Sequence, residues 1–313
     1  MNGYIMTVDT GGSKTQITLF NSEGVKLYDA RCAGIGASNE SEKSLFQLEQ
    51  TLEGLIDKEK ASDIHTIVIN VGGKNTNQIK SEFLQLFPTA HIEVYRESSG
   101  VIMSALCDAE NADAILMAGT GTIALAKGVK GNIIVDGWCP NVGDFGSGYW
   151  IGLEAISRSV KALEESAELT PLIKHTTGRS KPFTALADTT EQMLLRDEVR
   201  TNFMPLERAK VAGLTRIAAE FARNGDLFAQ KIFYDSGIEL AHTVIRGLKL
   251  AHSKDNARIL ISGGLVGCYD LWGASFEETL NKENKGYTPF IGDADMTKGA
   301  LYYALHNIKK GEN

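Results

Sequence analysis

Asp9-Thr10-Gly11-Gly12-Ser13-Lys14-Thr15 sits between two apolar runs, Tyr4-Ile5-Met6-Thr7-Val8 and Gln16-Ile17-Thr18-Leu19-Phe20. Short runs rich in β-branched and aromatic residues read as strands, and two of them joined by a glycine turn read as a β-hairpin. The tip carries two glycines, the hydroxyls of Thr10, Ser13 and Thr15, and the cation Lys14. Glycine lets backbone approach a ligand closely, and consecutive N–H groups at such a bend form an anion nest. Asp9, at the strand end, is placed to hold Mg2+ through water, because that ion prefers one or two carboxylates together with phosphate oxygens. Two commoner nucleotide motifs do not fit. A Walker loop needs Gly-Lys-Ser/Thr and then a helix, whereas Ser13 separates Gly12 from Lys14 and a strand follows. A Rossmann fingerprint also opens a helix. An ordinary hairpin with a glycine turn remains the alternative for Asp-x-Gly-Gly alone.

Beyond the hairpin, Cys32 to Ser38 reads as a glycine-punctuated loop, and Asn39 stands just before a helix with Leu45, Leu48, Leu52, Leu55 and Ile56 at helical spacing. Ile64 to Val71 is a buried strand ending at Gly72-Gly73-Lys74. Asn75 caps a helix whose apolar side is Ile79, Phe83, Leu86 and Phe87. Ile92 to Tyr95 is a short strand running into Arg96-Glu97-Ser98-Ser99, and Ser98 or Ser99 is expected to cap the helix through Cys107. The order hairpin, helix, strand, helix, strand, helix describes a mixed sheet covered by helices.

The pattern then restarts. Ala114 to Ala118 is a strand that meets Gly119-Thr120-Gly121-Thr122, followed by strands at Ile123 to Ala126 and Ile133 to Val135. A second Gly/Thr-tipped hairpin points to a duplicated architecture gripping one ligand from both sides. Gly119-x-Gly121-x-x-Ala124 also matches a relaxed dinucleotide fingerprint, but that would leave the first hairpin unexplained. Next comes a loop dense in glycine and aromatics, Gly137-Trp138 through Gly143-Asp144-Phe145-Gly146-Ser147-Gly148-Tyr149-Trp150. Residues 150 to 251 read as mostly helical. Arg258 to Ile261 is a strand ending at Ser262-Gly263-Gly264-Leu265, and residues 293 to 305 form a last amphipathic helix carrying Gly299-Ala300.

At 313 residues the chain accommodates two domains, and 43% hydrophobic with 23% charged residues is the composition of a soluble globular protein. A net charge of −7 argues against a nucleic-acid scaffold. Cys32, Cys107, Cys139 and Cys268 are widely spaced with no C-x-x-C, so reduced thiols in a cytoplasmic protein are the expectation. Neither a signal peptide nor a long apolar span is evident.

Taken in order, Asp9-Thr-Gly-Gly-Ser-Lys-Thr, Ala118-Gly-Thr-Gly-Thr, Ser262-Gly-Gly-Leu and the Gly299-Ala300 helix resemble the signatures of the actin-like ATPase superfamily of sugar kinases, heat-shock chaperones and actin. Gly137-Trp138 with Gly143-Asp144-x-Gly146-Ser147-x-Tyr149-Trp150-Ile151 resembles its N-acetylglucosamine kinase branch, grouped with the BadF/BadG/BcrA/BcrD-type ATPases. Ile217-Ala218-Ala219 through Gly225-Asp226 is similar to that branch's helix beside the nucleotide.

The resemblance implies an α/β, two-lobed actin-like (ribonuclease H-like) fold, each lobe a mixed sheet covered by helices. The lobes would span 1–110, with 296–313 returning to it, and 111–295. It further implies ATP and Mg2+ as cofactors and phosphoryl transfer to a hydroxyl of an N-acetylhexosamine or related amino sugar. Gly11, Gly12, Ser13, Lys14 and Thr15, with Gly119, Thr120, Gly121 and Thr122, would bind the phosphates, Gly263 and Gly264 the adenosine, and Asp9 the metal. Asn39, Gly73, Gly137, Trp138 and Asp144 would contact the sugar, and Glu97 would be the general base. The expected partner is a small-molecule sugar, with a homodimer allowed, and neither nucleic acid nor a membrane. The chain departs from the family at four positions: Glu97 replaces the usual Asp base, Ile123 a frequent sugar-binding Asn, Phe145 a frequent acid, and Thr10 a glycine. Two further readings stand beside the kinase. One is an ATPase that activates a partner enzyme through a cysteine-bridged cluster; the other is a non-catalytic sugar or nucleotide sensor.

Overall fold

The computed structural model describes residues 3–10, 14–33, 50–51, 62–71, 76–96, 100–165, 168–181, 189–203, 207–292 and 296–307. The chain divides into two units, one of Met1–Asp113 with Gly292–Asn313 and one of Ala114–Ile291.

In the first unit β1 (Tyr4–Thr10), β2 (Lys14–Asn21), β3 (Lys26–Ala33), β4 (Ile64–Val71) and β5 (His91–Arg96) form a five-stranded sheet in the order β3-β2-β1-β4-β5. β1 is antiparallel to β2, and β2 to β3, while β1 is parallel to β4, and β4 to β5. Met6, Val8, Ile67, Ile69 and Val71 share a core with Ile79 and Phe83 of α1 (Thr76–Leu86). The period-2 pleat sends these residues to one face of the sheet. Within this unit α9 (Met296–His306) packs on β1 and on α2 (Val101–Ala109). A Cβ at Gly299 would lie 2.6 Å from the Ile102 carbonyl oxygen, so glycine is what lets the two helices approach this closely.

Two local expectations need correction. Cys32 belongs to strand β3, not to a loop. β3 is an edge strand carrying Lys26, Asp29 and Arg31, and its Leu27 and Tyr28 are exposed. It therefore lacks the apolar alternation that marks a half-buried strand. The cap of α2 is Gly100, with φ 72° and no side-chain cap hydrogen bond, rather than Ser98 or Ser99. Its left-handed backbone is a conformation glycine adopts without a Cβ clash.

In the second unit β6 (Ala114–Ala118), β7 (Thr122–Gly128), β8 (Gly131–Asp136), β9 (Arg258–Ser262) and β10 (Thr288–Ile291) are ordered β10-β9-β6-β7-β8. Antiparallel β6–β7–β8 and parallel β6–β9–β10 repeat the first sheet strand for strand. The helices are α3 (Gly148–Glu165), α4 (Pro171–Thr177), α5 (Thr189–Phe203), α6 (Arg208–Arg223), α7 (Leu227–Ala251) and α8 (Tyr269–Asn281). α7 backs the sheet, and Phe233, Trp272 and Phe276 fill the space between it and α8. The Trp272 indole N–H is satisfied by the Leu265 carbonyl at 3.0 Å. α8 and β10 are absent from the sequence reading, although Trp272, Phe276 and Leu280 of α8 recur at helical spacing and are buried. Among the described residues no helix is long and apolar enough to cross a membrane.

Candidate functional site

The hairpin of the first unit is paired up to Thr10↔Thr15. Lys14 is a strand residue and Thr15 is buried. Gly11, Gly12, Ser13, Asn39, Gly73, Asn75 and Glu97 lie outside the described residues.

β1 and β4 bring Asp9 beside Asn70, a neighbour 61 positions away, and Asn70 Nδ2 donates to Asp9 Oδ1 at 2.7 Å. Asn70 is buried, and its Oδ1 has no partner among the described residues. A buried carbonyl oxygen without a hydrogen bond is costly, which makes it a place where a further donor or a hydrated cation is expected. The amide is neutral, so this hydrogen bond leaves the carboxylate charge intact. Asp9 and Asn70 are oxygen donors suited to a hydrated Mg2+, which binds one or two carboxylates and keeps several waters. Among the described residues no group of three or more His, Cys, Asp and Glu could hold a metal.

The hairpin of the second unit is tighter. Its last pair is Ala118↔Thr122, and the Gly119 N–H closes it on the Gly121 carbonyl at 2.9 Å. Helix α3 begins directly against it: the Gly148 and Tyr149 N–H groups donate to the Gly119 and Thr120 carbonyls at 2.8 and 3.1 Å. The first turn of a helix has N–H groups without intrahelical partners, and here the hairpin supplies the acceptors. Gly263 has φ 102°, and a Cβ there would lie 2.3 Å from the Ala118 carbonyl oxygen. Gly263 is thus pressed against the end of β6, where no larger residue fits, and Gly264 follows it in open space. The structure brings together Gly119, Thr120, Gly121, Thr122, Asp144, Gly263 and Gly264.

Asp144 is buried and adopts φ 58°. Its Oδ1 accepts the Thr122 N–H at 2.9 Å, and its Oδ2 faces Arg208 Nη2 at 3.0 Å. Burial pushes the Asp144 carboxyl above the usual carboxylate range; the Thr122 N–H and the Arg208 charge oppose the rise, and Asp136 adds to it. Gly137 has φ 71°, and the Ile123 side chain lies 2.9 Å from where its Cβ would be. Trp138 stands 79% exposed at the loop surface.

Asp136 and Arg208 are absent from the sequence reading. Asp136, at φ 63° on the end of β8, accepts N–H groups from Gly137 (2.9 Å), Asp144 (2.7 Å) and Phe145 (3.2 Å). One carboxylate thereby ties both ends of the 137–145 loop. An Asp between a strand and a glycine is a local signal that could have found it, since short acidic side chains bond nearby backbone N–H groups in turns. Arg208 has no such signal: it opens α6, 64 positions from the carboxylate it meets.

Comparison with known proteins follows this geometry. A curated N-acetylmuramic acid/N-acetylglucosamine kinase of Clostridium acetobutylicum is 24% identical over 288 residues, covering 89% of this chain and 90% of that protein. The N-acetyl-D-glucosamine kinase of Dictyostelium discoideum is 23% identical and covers 96% of this chain and 98% of its own. Among solved structures, a proposed N-acetylglucosamine kinase of Chromobacterium violaceum superposes with a TM-score of 0.67 at 22% identity, covering 96% of this chain and 98% of that one, and shows the shared two-lobed actin-like fold. The profile of the BadF/BadG/BcrA/BcrD ATPase family matches residues 7–304, and the chain belongs to that family.

Proposed function

We propose that this protein is an ATP-dependent kinase that transfers the γ-phosphate to a hydroxyl of an N-acetylhexosamine or a related amino sugar. The observation that carries the reading is the near end-to-end match to two curated amino-sugar kinases. The glycine-tipped hairpins are in keeping with it, because phosphoryl transfer asks the protein chiefly for positioning and charge neutralisation.

In this reading residues 11–15 and 119–122 bind phosphate oxygens, and Gly263 and Gly264 let adenosine lie against backbone. Asp9, with Asn70 beside it, holds Mg2+, which when bound neutralises phosphate charge. Asn39, Gly73, Gly137, Trp138 and Asp144 contact the sugar. Glu97 is the general base in place of the usual Asp. The attacking sugar oxygen forms a bond to the γ-phosphorus, the bridging β–γ oxygen bond breaks, and ADP leaves with that electron pair. The hydroxyl proton passes to the Glu97 carboxylate. The enzyme works in the cytoplasm, where ATP is available.

ADP release measured over a panel of N-acetylglucosamine, N-acetylmuramic acid, N-acetylmannosamine, glucosamine and glucose tests the proposal. Turnover with an N-acetylhexosamine is expected. A folded protein that binds MgATP yet releases no sugar-dependent ADP overturns it. ATP hydrolysis independent of sugar, together with iron and a visible absorption band, would instead identify an activating ATPase. Glu97→Gln is expected to lose about 10²-fold in kcat.

A further inference from the structure

We propose that Arg208 contacts the phosphoryl group undergoing transfer and is a further catalytic residue of the second unit; the inference rests on the phosphotransfer reading above. Its position is the first argument. A Cβ on Gly121 would lie 2.6 Å from Arg208 Nη2 and 2.7 Å from Asp144 Oδ1. The guanidinium therefore lies against the tip of the 119–122 hairpin, in the space that a side chain at 121 would occupy. Arg208 thus touches both the hairpin assigned to phosphate and Asp144, assigned to sugar, and the group that passes between those two ligands is the one that moves.

The second argument is preorganisation. The Asp144 carboxylate that holds Arg208 is itself fixed by the Thr122 N–H at 2.9 Å, and Asp136 fixes the Asp144 backbone through an N–H bond of 2.7 Å. A cation oriented before substrate arrives costs no reorganisation at the moment of reaction. The ion pair engages one Nη2 hydrogen of a group that has five N–H donors in a planar fork, and the Arg208 side chain is 51% exposed. The remaining donors match the oxygens of a phosphoryl group. A pair with one member half exposed contributes little to stability, so fold stability does not account for an arginine seated on this glycine.

The third argument is Thr122. It is buried, and its hydroxyl has no hydrogen-bond partner among the described residues. A phosphate oxygen at the hairpin tip would supply one. Arg208 neither takes a proton nor forms a covalent bond; it stabilises charge on the equatorial oxygens while the bond from the γ-phosphorus to the bridging oxygen breaks, ADP leaves with that electron pair, and the sugar oxygen bonds to phosphorus.

Calorimetric titration of wild type, Arg208→Gln and Arg208→Lys with MgATP and with MgADP, beside sugar-dependent turnover, tests the assignment. Arg208→Gln is expected to weaken MgATP about tenfold with MgADP nearly unchanged, and to lower kcat about 10²–10³-fold. Arg208→Lys should recover part of both, since it keeps the charge without the fork. Unchanged MgATP affinity, or equal losses for ATP and ADP, overturns the proposal. The pair Arg208→Gln with Asp144→Asn separates contact from charge balance. If Arg208 only neutralises Asp144, removing the carboxylate restores MgATP affinity, and the proposal fails. The nucleotide arm needs no sugar. A protein whose ATP-over-ADP preference depends on Arg208 but which phosphorylates no sugar would refute the kinase reading while supporting this one. A wild type that binds no MgATP refutes both.

Discussion

The two sheets share strand order and strand direction, yet they place charge at their hairpins in different ways. In the first, β1 itself carries the acid: Asp9 lies in register with Asn70 of β4. In the second, the equivalent neighbours are Met117 and Ser262, neither of them charged. There the carboxylate arrives from the loop after β8 and the cation from the start of α6, as Asp144 and Arg208. The tips differ too, with residues 11–14 between the last pair in one and 119–121 in the other. In the reading proposed above, one topology serves opposite electrostatic tasks: the carboxylate beside a neutral amide holds a hydrated cation, and the guanidinium clamped by Asp144 holds an anion. A duplicated scaffold fixes where backbone bends; the residues added around each bend decide what is bound.

The largest expected effect tests the strand-borne charge of the first unit. Asp9→Asn keeps the neighbour Asn70 but removes the carboxylate, and kcat is expected to fall about 10²–10³-fold, with turnover at saturating sugar as the measurement. A rate near wild type would mean that the first hairpin does not hold the metal.

In the second unit the bend depends on a glycine under strain. Gly263→Ala must accommodate φ 102° and a carbonyl oxygen 2.3 Å from the new Cβ. A cost of about 3 kcal/mol is expected, lowering Tm by roughly 10 °C in a thermal melt. Asp136→Ala leaves three N–H groups at 137, 144 and 145 without their acceptor. It should destabilise by about 2 kcal/mol, and hydrogen exchange should rise at those amides while the first sheet stays protected.

The smallest effect lies at the edge of the first sheet. The Tyr95 and Tyr303 hydroxyls lie 2.6 Å apart, and their two protons are shared between that contact and the Glu93 carboxylate, which both hydroxyls face. Burial works to raise the Glu93 carboxyl, but hydrogen bonds from Tyr95, His91 and Tyr303 outweigh it and hold it below its ordinary 4.5. An acid with a depressed folded pKa stabilises the fold above its unfolded pKa, and that contribution disappears as pH falls through the folded value. Tyr303→Phe should therefore cost about 1 kcal/mol at neutral pH and much less in acid. Equal losses at pH 7 and in acid unfolding would remove Glu93 from the account.

Much of this molecule is legible from local pattern. The strand at Ala114–Ala118 is a continuous apolar run and that at Ile64–Val71 is rich in β-branched residues, and both hairpin tips announce themselves through glycines flanked by hydroxyls, because backbone approach and N–H clustering depend on adjacent residues alone. Strand β3 is not legible, since an exposed edge with interspersed charges has no buried face to impose alternation. The Gly100 cap is missed because serine is the more frequent cap, while the geometry required a left-handed residue. Asn70, Asp136 and Arg208 escape for a related reason. Asn70 and Arg208 act on partners 61 and 64 positions away, and Asp136 gathers amides from across its own loop.

The chain alone dictates the two glycine bends, the succession of strands and helices and, through the resemblance those motifs carry, the ATPase family, because each depends on residues close together in sequence. Folding adds the electrostatic identity of each bend: Asp9 beside a neutral amide in one unit, Asp144 clamped to Arg208 in the other. Those pairs exist only once sheet register and helix packing bring distant side chains within about 3 Å, the range in which a hydrogen bond has its strength.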